Sequence, residues 1–399
     1  MKQSPIPTRT VPIQPPPPGL PLLRLGFRPF YLGAALFAML AVPLWAGLWL
    51  GHVPLDLHIA PMLWHGHEML FGFAVAVIVG FLLTAGKAWT GLPTPRGPAL
   101  GALAALWLAA RLAAVAAPYP VYAALDVALL PAVAVAFGAV LLRSRNFRNL
   151  PIAGILLGLA LANLCFHLAA LGIVPLSPLS PLHAALGFVV VIETVIGGRV
   201  IPSFTANATP GLRIPPRPRL DWTALAVTAL ALLLWVFAPA GVFGAIAFFA
   251  AAGLQLARQW HWRPLVTRDR PILWILHLSY AWLAVGFALL GAAQAGWTSE
   301  SLGVHALAVG ATGGLIIGMI TRTARGHTGR PLTVGRAEVL AYLLVMTAAV
   351  LRVLLPLVAP QWVVGAVAAA ALAWSAAFAI YLFIYTPWLA STRVDGKDG

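Results

Sequence analysis

Runs of roughly 17 to 25 apolar residues, each long enough to cross a bilayer as a helix, follow one another along almost the whole chain. Twelve can be placed, beginning near Phe30, His65, Gly97, Val121, Leu150, Leu182, Asp221, Gly241, Pro271, Leu302, Arg336 and Gln361; the eighth, Gly241 to Ala257, reads as the shortest. Hydrocarbon offers no water to backbone N–H and C=O groups, so consecutive runs of this kind restrict the chain to a bundle of membrane helices. Only 9% of the 399 residues are charged and 61% are hydrophobic, whereas soluble domains carry about 25% charged residues. That difference excludes an ordinary soluble enzyme.

The gaps between the runs alternate in charge. Lys2, Arg9, Arg24 and Arg28 precede the first run. Every second gap then carries a basic set, in turn Lys87 and Arg96; Arg143, Arg145 and Arg148; Arg199, Arg213, Arg217 and Arg219; Arg258, Arg263, Arg268 and Arg270; and Arg322, Arg325, Arg330 and Arg336. Arg393 and Lys397 end the chain, and of the 25 basic residues only Arg111 and Arg352 fall elsewhere. Because cytoplasmic loops concentrate lysine and arginine, an even number of helices with both termini in the cytoplasm is expected. The net charge of +15 then reflects topology and contact with anionic lipid, and no nucleic acid partner is needed. Residues 1–25, with PIQPPPPGLP and no apolar core of signal-peptide type, read as a Pro-rich cytoplasmic tail, 26–390 as the membrane domain and 391–399 as a polar cytoplasmic tail. The single cysteine, Cys165, lies inside a run, so a metal would have to rely mainly on histidine.

Ionisable residues inside such runs are costly and call for a reason. His65, His67 and Glu68 stand in WHGHEMLFGF at the start of the second run, His183 opens the sixth, and His305 opens the tenth. The steps from His67 to His183 and from His183 to His305 are 116 and 122 residues, and Arg28, Arg148 and Arg270, each just before a run, are spaced by 120 and 122. This spacing suggests three four-helix units with the second, sixth and tenth helices central. In that topology the four histidines share one depth near the external face. His167, Arg111, Asp126 and Arg352 fall in the same outer half, so seven helices feed one polar layer.

A single histidine there would be read as a hydrogen-bonded interfacial residue; several at one depth and at repeating positions favour metal ligation. His65 and His67 diverge by roughly 200° around a helix, so they suit two centres better than one. Glu68, three residues after His65, could orient that imidazole or simply cap the helix. Histidines without a thiolate or carboxylate cage suit haem iron or copper. Arg111 and Arg352 could pair with haem propionates, or Arg111 with Asp126. His277 lies at another depth, as a lesser metal candidate or a partner for a buried hydroxyl. Glu193, ten residues after His183, reads as a proton relay or a protonated structural acid, and Asp126 belongs to the same class of relay or supporting residues. Gly72, Gly80, Gly187, Gly310 and Gly314 along the three His-led runs point to close helix packing.

WHGHEMLFGFAVAVIVGFLLTA, preceded by FRPFYLGAALFA and followed in order by IGGRVIPSFT (196–205) and TRTARGHTGRPL (321–332), resembles the NnrS family of bacterial membrane proteins across nearly the whole chain. The resemblance implies an inner-membrane protein containing haem and copper. It also implies a link to nitric oxide, nitrosative stress and denitrification, with histidine ligands that here would be His65, His67, His183 and His305, and His167 and His277 as further candidates. It does not settle whether nitric oxide is reduced; an enzyme of this kind would be a haem-dependent oxidoreductase, and its redox partner is open. The loop residues Gly326, His327, Thr328, Gly329, Arg330 and Pro331 could bind an anion or lock the loop, or could be a plain basic turn. At fold level the arrangement is similar to the catalytic subunit of haem-copper oxidases, but the seventh run lacks that family's histidine pair. Other readings stay open: a proton-coupled secondary transporter of six plus six helices using Glu193 and the histidines, or a sensor or assembly factor.

Overall fold

The structure is a computed structural model that describes residues 19–397; residues 1–18, most of the Pro-rich tail expected over 1–25, lie outside the described ones. The described chain is 79% helix with no strand. Twelve helices are long and apolar enough to cross a membrane: α1 Phe27–Trp49, α2 Pro61–Thr90, α3 Pro98–Ala116, α4 Tyr119–Arg143, α5 Leu150–Ala170, α6 Leu179–Ala208, α7 Pro218–Phe237, α8 Val242–His261, α9 Pro271–Gln294, α10 Glu300–His327, α11 Arg336–Val358 and α12 Pro360–Leu389. The order and start points follow the apolar runs, with one correction: α3, at 19 residues, is shorter than α8, at 20. The basic ladder after Ala257 stays helical as far as His261, because charge at a helix C-terminus favours another turn.

Local chemistry sets the ends. Proline occupies the first turn of α2, α3, α7 and α9, where a missing N–H costs nothing. Gly91 closes α2 with a left-handed φ of 70° and returns its N–H to Lys87 O. Three helices leave α geometry partway: π-helical turns span Glu68–Ala74 in α2, Ala306–Gly313 in α10 and Val350–Leu354 in α11. Such turns gather at functional sites, because the extra residue re-aims the side chains around it. Here they follow His67 and His305 directly and contain Arg352.

The helix interfaces recur at a step of four. α4 packs on α5, α8 on α9, and α12 on α1, closing a ring; α3–α4, α7–α8 and α11–α12 form a second matching set, and α1–α2, α5–α6 and α9–α10 a third. This is the order expected of three four-helix units rather than of two halves of six. Inside the ring α2 touches α6, α6 touches α10, and the His65 and His305 rings bring α2 to α10. α2 and α10 are the most covered helices, at 78% and 72%; α6, at 56%, is less covered than α9, at 67%. The start of α1 and the end of α12 meet at the arginine-rich face, where Arg28 Nη1 donates to Leu389 O at 2.6 Å and Ser391 O at 2.7 Å.

Small residues let α9 and α10 approach closely. A Cβ at Gly303 would lie 2.9 Å from the backbone N of Leu290, which has no freedom to move aside. Replacing Gly303 by valine is expected to lower stability by about 1–3 kcal/mol through overpacking, read as a lower thermal midpoint in detergent. The same change at Gly253, which has open space around it, should leave the midpoint nearly unchanged.

Candidate metal centres

The histidine-led helices contribute to two separate groups of side chains. The first is a cavity of about 310 Å³ between α2, α6 and α10, closed by α1, α11 and α12. His65, His183 and His305 all line it, together with Arg352, Glu300 and Thr312, on otherwise mostly apolar walls. The His65 and His305 rings are nearly parallel (11°) with centroids 6.4 Å apart, and His65 lies against the Trp45 ring at 3.9 Å. His183 stacks on Trp235 at 4.3 Å, and the indole N–H of that tryptophan donates to Glu300. His305 Nδ1 lies 2.7 Å from Ser301 O and must therefore carry its proton, which leaves Nε2 as a free lone pair. His65 Nδ1 and Arg352 Nε are buried without a partner, and Arg352 Nη2 reaches only Ser301 Oγ at 3.2 Å. Unpartnered donors and imidazoles around a cavity of this size are what a bound cofactor would satisfy.

The second group lies between α2, α3, α4 and α5, and is buried. His67, Glu68, Arg111, Asp126, Asn163 and His167 are each at most 6% exposed. Arg111 Nη1 donates to Glu68 Oε2 at 2.5 Å, and its Nη2 is in ion-pair contact with Asp126 Oδ1. Tyr122 donates to Glu68 Oε1 at 2.8 Å and is 2.8 Å from His67 Nδ1. Asn163 Nδ2 donates to Asp126 Oδ2 at 2.6 Å, and Tyr119 OH lies 3.0 Å from His167 Nδ1. His67, Asp126 and His167 each offer one donor atom, all within 4.8 Å of one another, a group compatible with metal binding. The packing requires Gly72: a Cβ there would meet Glu68 Oε2 at 2.9 Å and Arg111 Nη1 at 3.0 Å.

Several sequence expectations change as a result. Glu68 serves His67, at 3.2 Å, and Arg111 rather than His65. The π turn that begins at Glu68 departs from the helical phase on which the i, i+3 pairing with His65 relied. Arg111 is committed to two carboxylates, so of the two arginines considered for propionates only Arg352 faces the cavity. His277 belongs to neither group; its Nε2 is 2.9 Å from Thr205 Oγ1, the hydroxyl partnership that its depth suggested. Glu193 lines a smaller cavity that shares Ala74 and Thr312 with the first, and its Oε2 is buried without a partner.

The Gly326–Pro331 loop is locked from several sides. Arg325 pairs with Glu338 and donates to Tyr385 OH at 3.2 Å and Pro331 O at 3.1 Å, Arg330 covers the Trp388 ring at 4.2 Å, and the His327 ring rests 5.5 Å from Phe27. Gly329, at φ 78°, makes the turn, and Thr328 O accepts the Val394 N–H. Arg393 donates to His327 O and grips Asp395 with two bonds, of 2.8 and 2.6 Å, which hold that carboxyl below its ordinary range.

Tyr119, Tyr122, Asn163, Glu300, Trp45 and Trp235 were not singled out from the sequence. A signal existed for three of them: Tyr119 and Tyr122 stand seven and four residues before Asp126, and Asn163 four before His167, on the same helical faces. Glu300, five residues before His305, does not share its face. The two tryptophans had none, since one aromatic among 15 carries no spacing information.

The family model described as NnrS protein matches residues 21–393. A search of the curated proteins finds no match.

Arg111 is the one guanidinium among two buried carboxylates. Arg111→Met is expected to destabilise the protein by about 3–5 kcal/mol, because it strands both charges. Adding Glu68→Gln should restore part of that loss; unfolding in detergent measures both.

Proposed function

Because the chain belongs to the NnrS family, we propose that it is a haem protein of the bacterial inner membrane that binds nitric oxide or relieves its toxicity, with both termini in the cytoplasm. The observation that carries this reading is the convergence of His65, His183 and His305, from three helices, on one mostly apolar cavity that also holds Arg352.

The residues suit the group. Imidazole ligands from facing helices of a bundle hold haem, and a cationic side chain at the rim suits a propionate. Haem held by these residues would supply the iron that binds a small diatomic ligand. The chain's own part is to fix the ligands: Ser301 O sets the His305 tautomer, Trp45 and Trp235 hold the other two rings in plane, and the apolar walls keep water scarce. Arg352 would balance anionic charge. Glu193, in the adjoining cavity, would be the residue to pass a proton toward the histidines. Positive charge on alternate connections supports the orientation. The recurrence of interfaces at every fourth helix favours this reading over a carrier built from two six-helix halves.

The test is a reduced-minus-oxidised absorption spectrum of the protein purified from haem-supplemented cells, followed by titration with nitric oxide. Haem bands that shift on adding nitric oxide are expected, with haem content lost in His65→Ala and His305→Ala and lowered in His183→Ala. A featureless spectrum, or full haem content in all three variants, would overturn the reading.

A further inference from the structure

The connection from α6 to α7, TPGLRIPPR (209–217), sets two arginines around a proline pair. Pro215 and Pro216 fix the backbone between Arg213 and Arg217, so both side chains leave a stiff segment. Across from it α8 ends with Arg258 and His261 in its last turn, and Arg263 follows in the left-handed conformation, at φ 57°. Glycine makes that turn without strain, so an arginine there puts a side chain where the turn alone asks for none. The two segments enclose a pair of adjoining cavities of about 270 Å³ and 210 Å³, which share Pro215, Arg217 and His261. Arg199 and Arg258 also line the first, and Arg213 and Arg263 the second, so five guanidiniums border one cleft. The lining holds a single carboxylate, Asp221, and it is taken: Arg258 Nε donates to it at 2.8 Å. Arg258 Nη1 donates in turn to Tyr280 OH at 2.7 Å and to Gln255 Oε1 at 3.1 Å. Arg199 Nη1 donates to the neutral Asn149 Oδ1 at 2.8 Å. Among the described residues no side chain pairs with Arg213, Arg217 or Arg263. The positive charge of the cleft is therefore left unbalanced, whereas at the GHTGRPL latch Arg325 is spent on Glu338.

We infer that this cleft binds the phosphate groups of an anionic phospholipid, with one that carries two phosphodiesters as the best match. Guanidinium presents paired donors that fit phosphate oxygens, and basic pockets between membrane helices take lipid headgroups of this kind. The two adjoining chambers share Arg217 and offer one place for each phosphate. The surroundings supply the lipid. α7, at 28%, is the least covered of the twelve helices, so its outer face lies against acyl chains. Trp222, next to Asp221, and Trp260, in the lining, are 71% and 66% exposed, as suits indoles at the boundary between membrane and water. A soluble phosphate would use the same donors but none of this apolar border. Arg258 forms the floor, and Gly198 makes room for it, since a Cβ there would collide with Arg258 Nη2. The cleft shares no lining residue with the histidine cavity, so the site stands whether or not haem is bound.

The experiment uses the full-length protein in detergent, washed free of lipid and titrated in turn with cardiolipin, phosphatidylglycerol, phosphatidylcholine and inorganic phosphate. Bound lipid is read by native mass spectrometry, and phosphate binding by the thermal midpoint. The expected result is one tightly held cardiolipin per chain, at roughly a tenth or less of the concentration that phosphatidylcholine requires, with phosphatidylglycerol between them. Each arginine near a headgroup is worth about fivefold in affinity, so Arg213→Gln combined with Arg217→Gln should weaken cardiolipin binding about 25-fold. Both side chains are exposed, and an unchanged thermal midpoint would show that the fold is kept. Arg143→Gln with Arg145→Gln removes as much charge from an exposed connection outside the cleft and should leave binding nearly unchanged. Equal loss in the two double variants would reduce the effect to general surface charge and overturn the site. Equal binding of cardiolipin and phosphatidylcholine would overturn it too, and saturation by inorganic phosphate without any lipid preference would replace the lipid with a soluble anion.

Discussion

Charge that enters a membrane bundle has to be answered by another helix, because lipid cannot solvate it and a single helix rarely can. Arg111 is where this requirement is most acute. Its guanidinium ties α3 to α2 through Glu68 and to α4 through Asp126, and Asn163 and His167 bring α5 to the same carboxylate. Four helices are therefore held in register by one polar knot. Helix packing in lipid lacks the hydrophobic drive that assembles soluble bundles, so such knots and the close approaches at small residues carry more of the specificity.

The knot also explains why α2 can serve two sites. Its outward faces are fixed on one side by Arg111 and the two tyrosines and on the other by the stacked rings of Trp45, His65 and His305. The π turn from Glu68 to Ala74 begins at the residue that turns away from His65 toward Arg111. Gly72 lies in that turn and leaves room for the ion pair, while its carbonyl accepts the Trp107 indole N–H at 2.9 Å. A corresponding turn follows His305 in α10. The two helices most enclosed by the bundle are thus also the two that depart from regular geometry beside a histidine.

The arginine-rich face has a mechanical role instead. Arg28, Arg325 and Arg393 hold the ends of α1, α10 and α12 together through main-chain carbonyls and Glu338. The GHTGRPL segment is accordingly a closed latch between the tenth helix and the end of the chain. Arg325 is spent on hydroxyl, carbonyl and carboxylate partners inside the protein, whereas Arg330 covers the Trp388 ring and keeps a buried Nη1 without a hydrogen-bond partner.

Helix number, the order of the spans, the alternation of basic connections and the identity of the costly residues were legible in the amino-acid order, because hydrophobic length and charge are local properties. The divergence of His65 and His67 was legible too, since it follows from helical pitch. What remained hidden was partnership. That Arg111 would meet Glu68 and Asp126 rather than a cofactor, that Tyr122 and Asn163 would complete the His67 group, and that His183 would stand opposite His65 and His305 depends on distances between helices far apart in the chain. Spacing along one helix fixes which residues share a face, but only the packed bundle decides what that face meets, and in a medium without water that choice is set by which buried charges and lone pairs can be satisfied together.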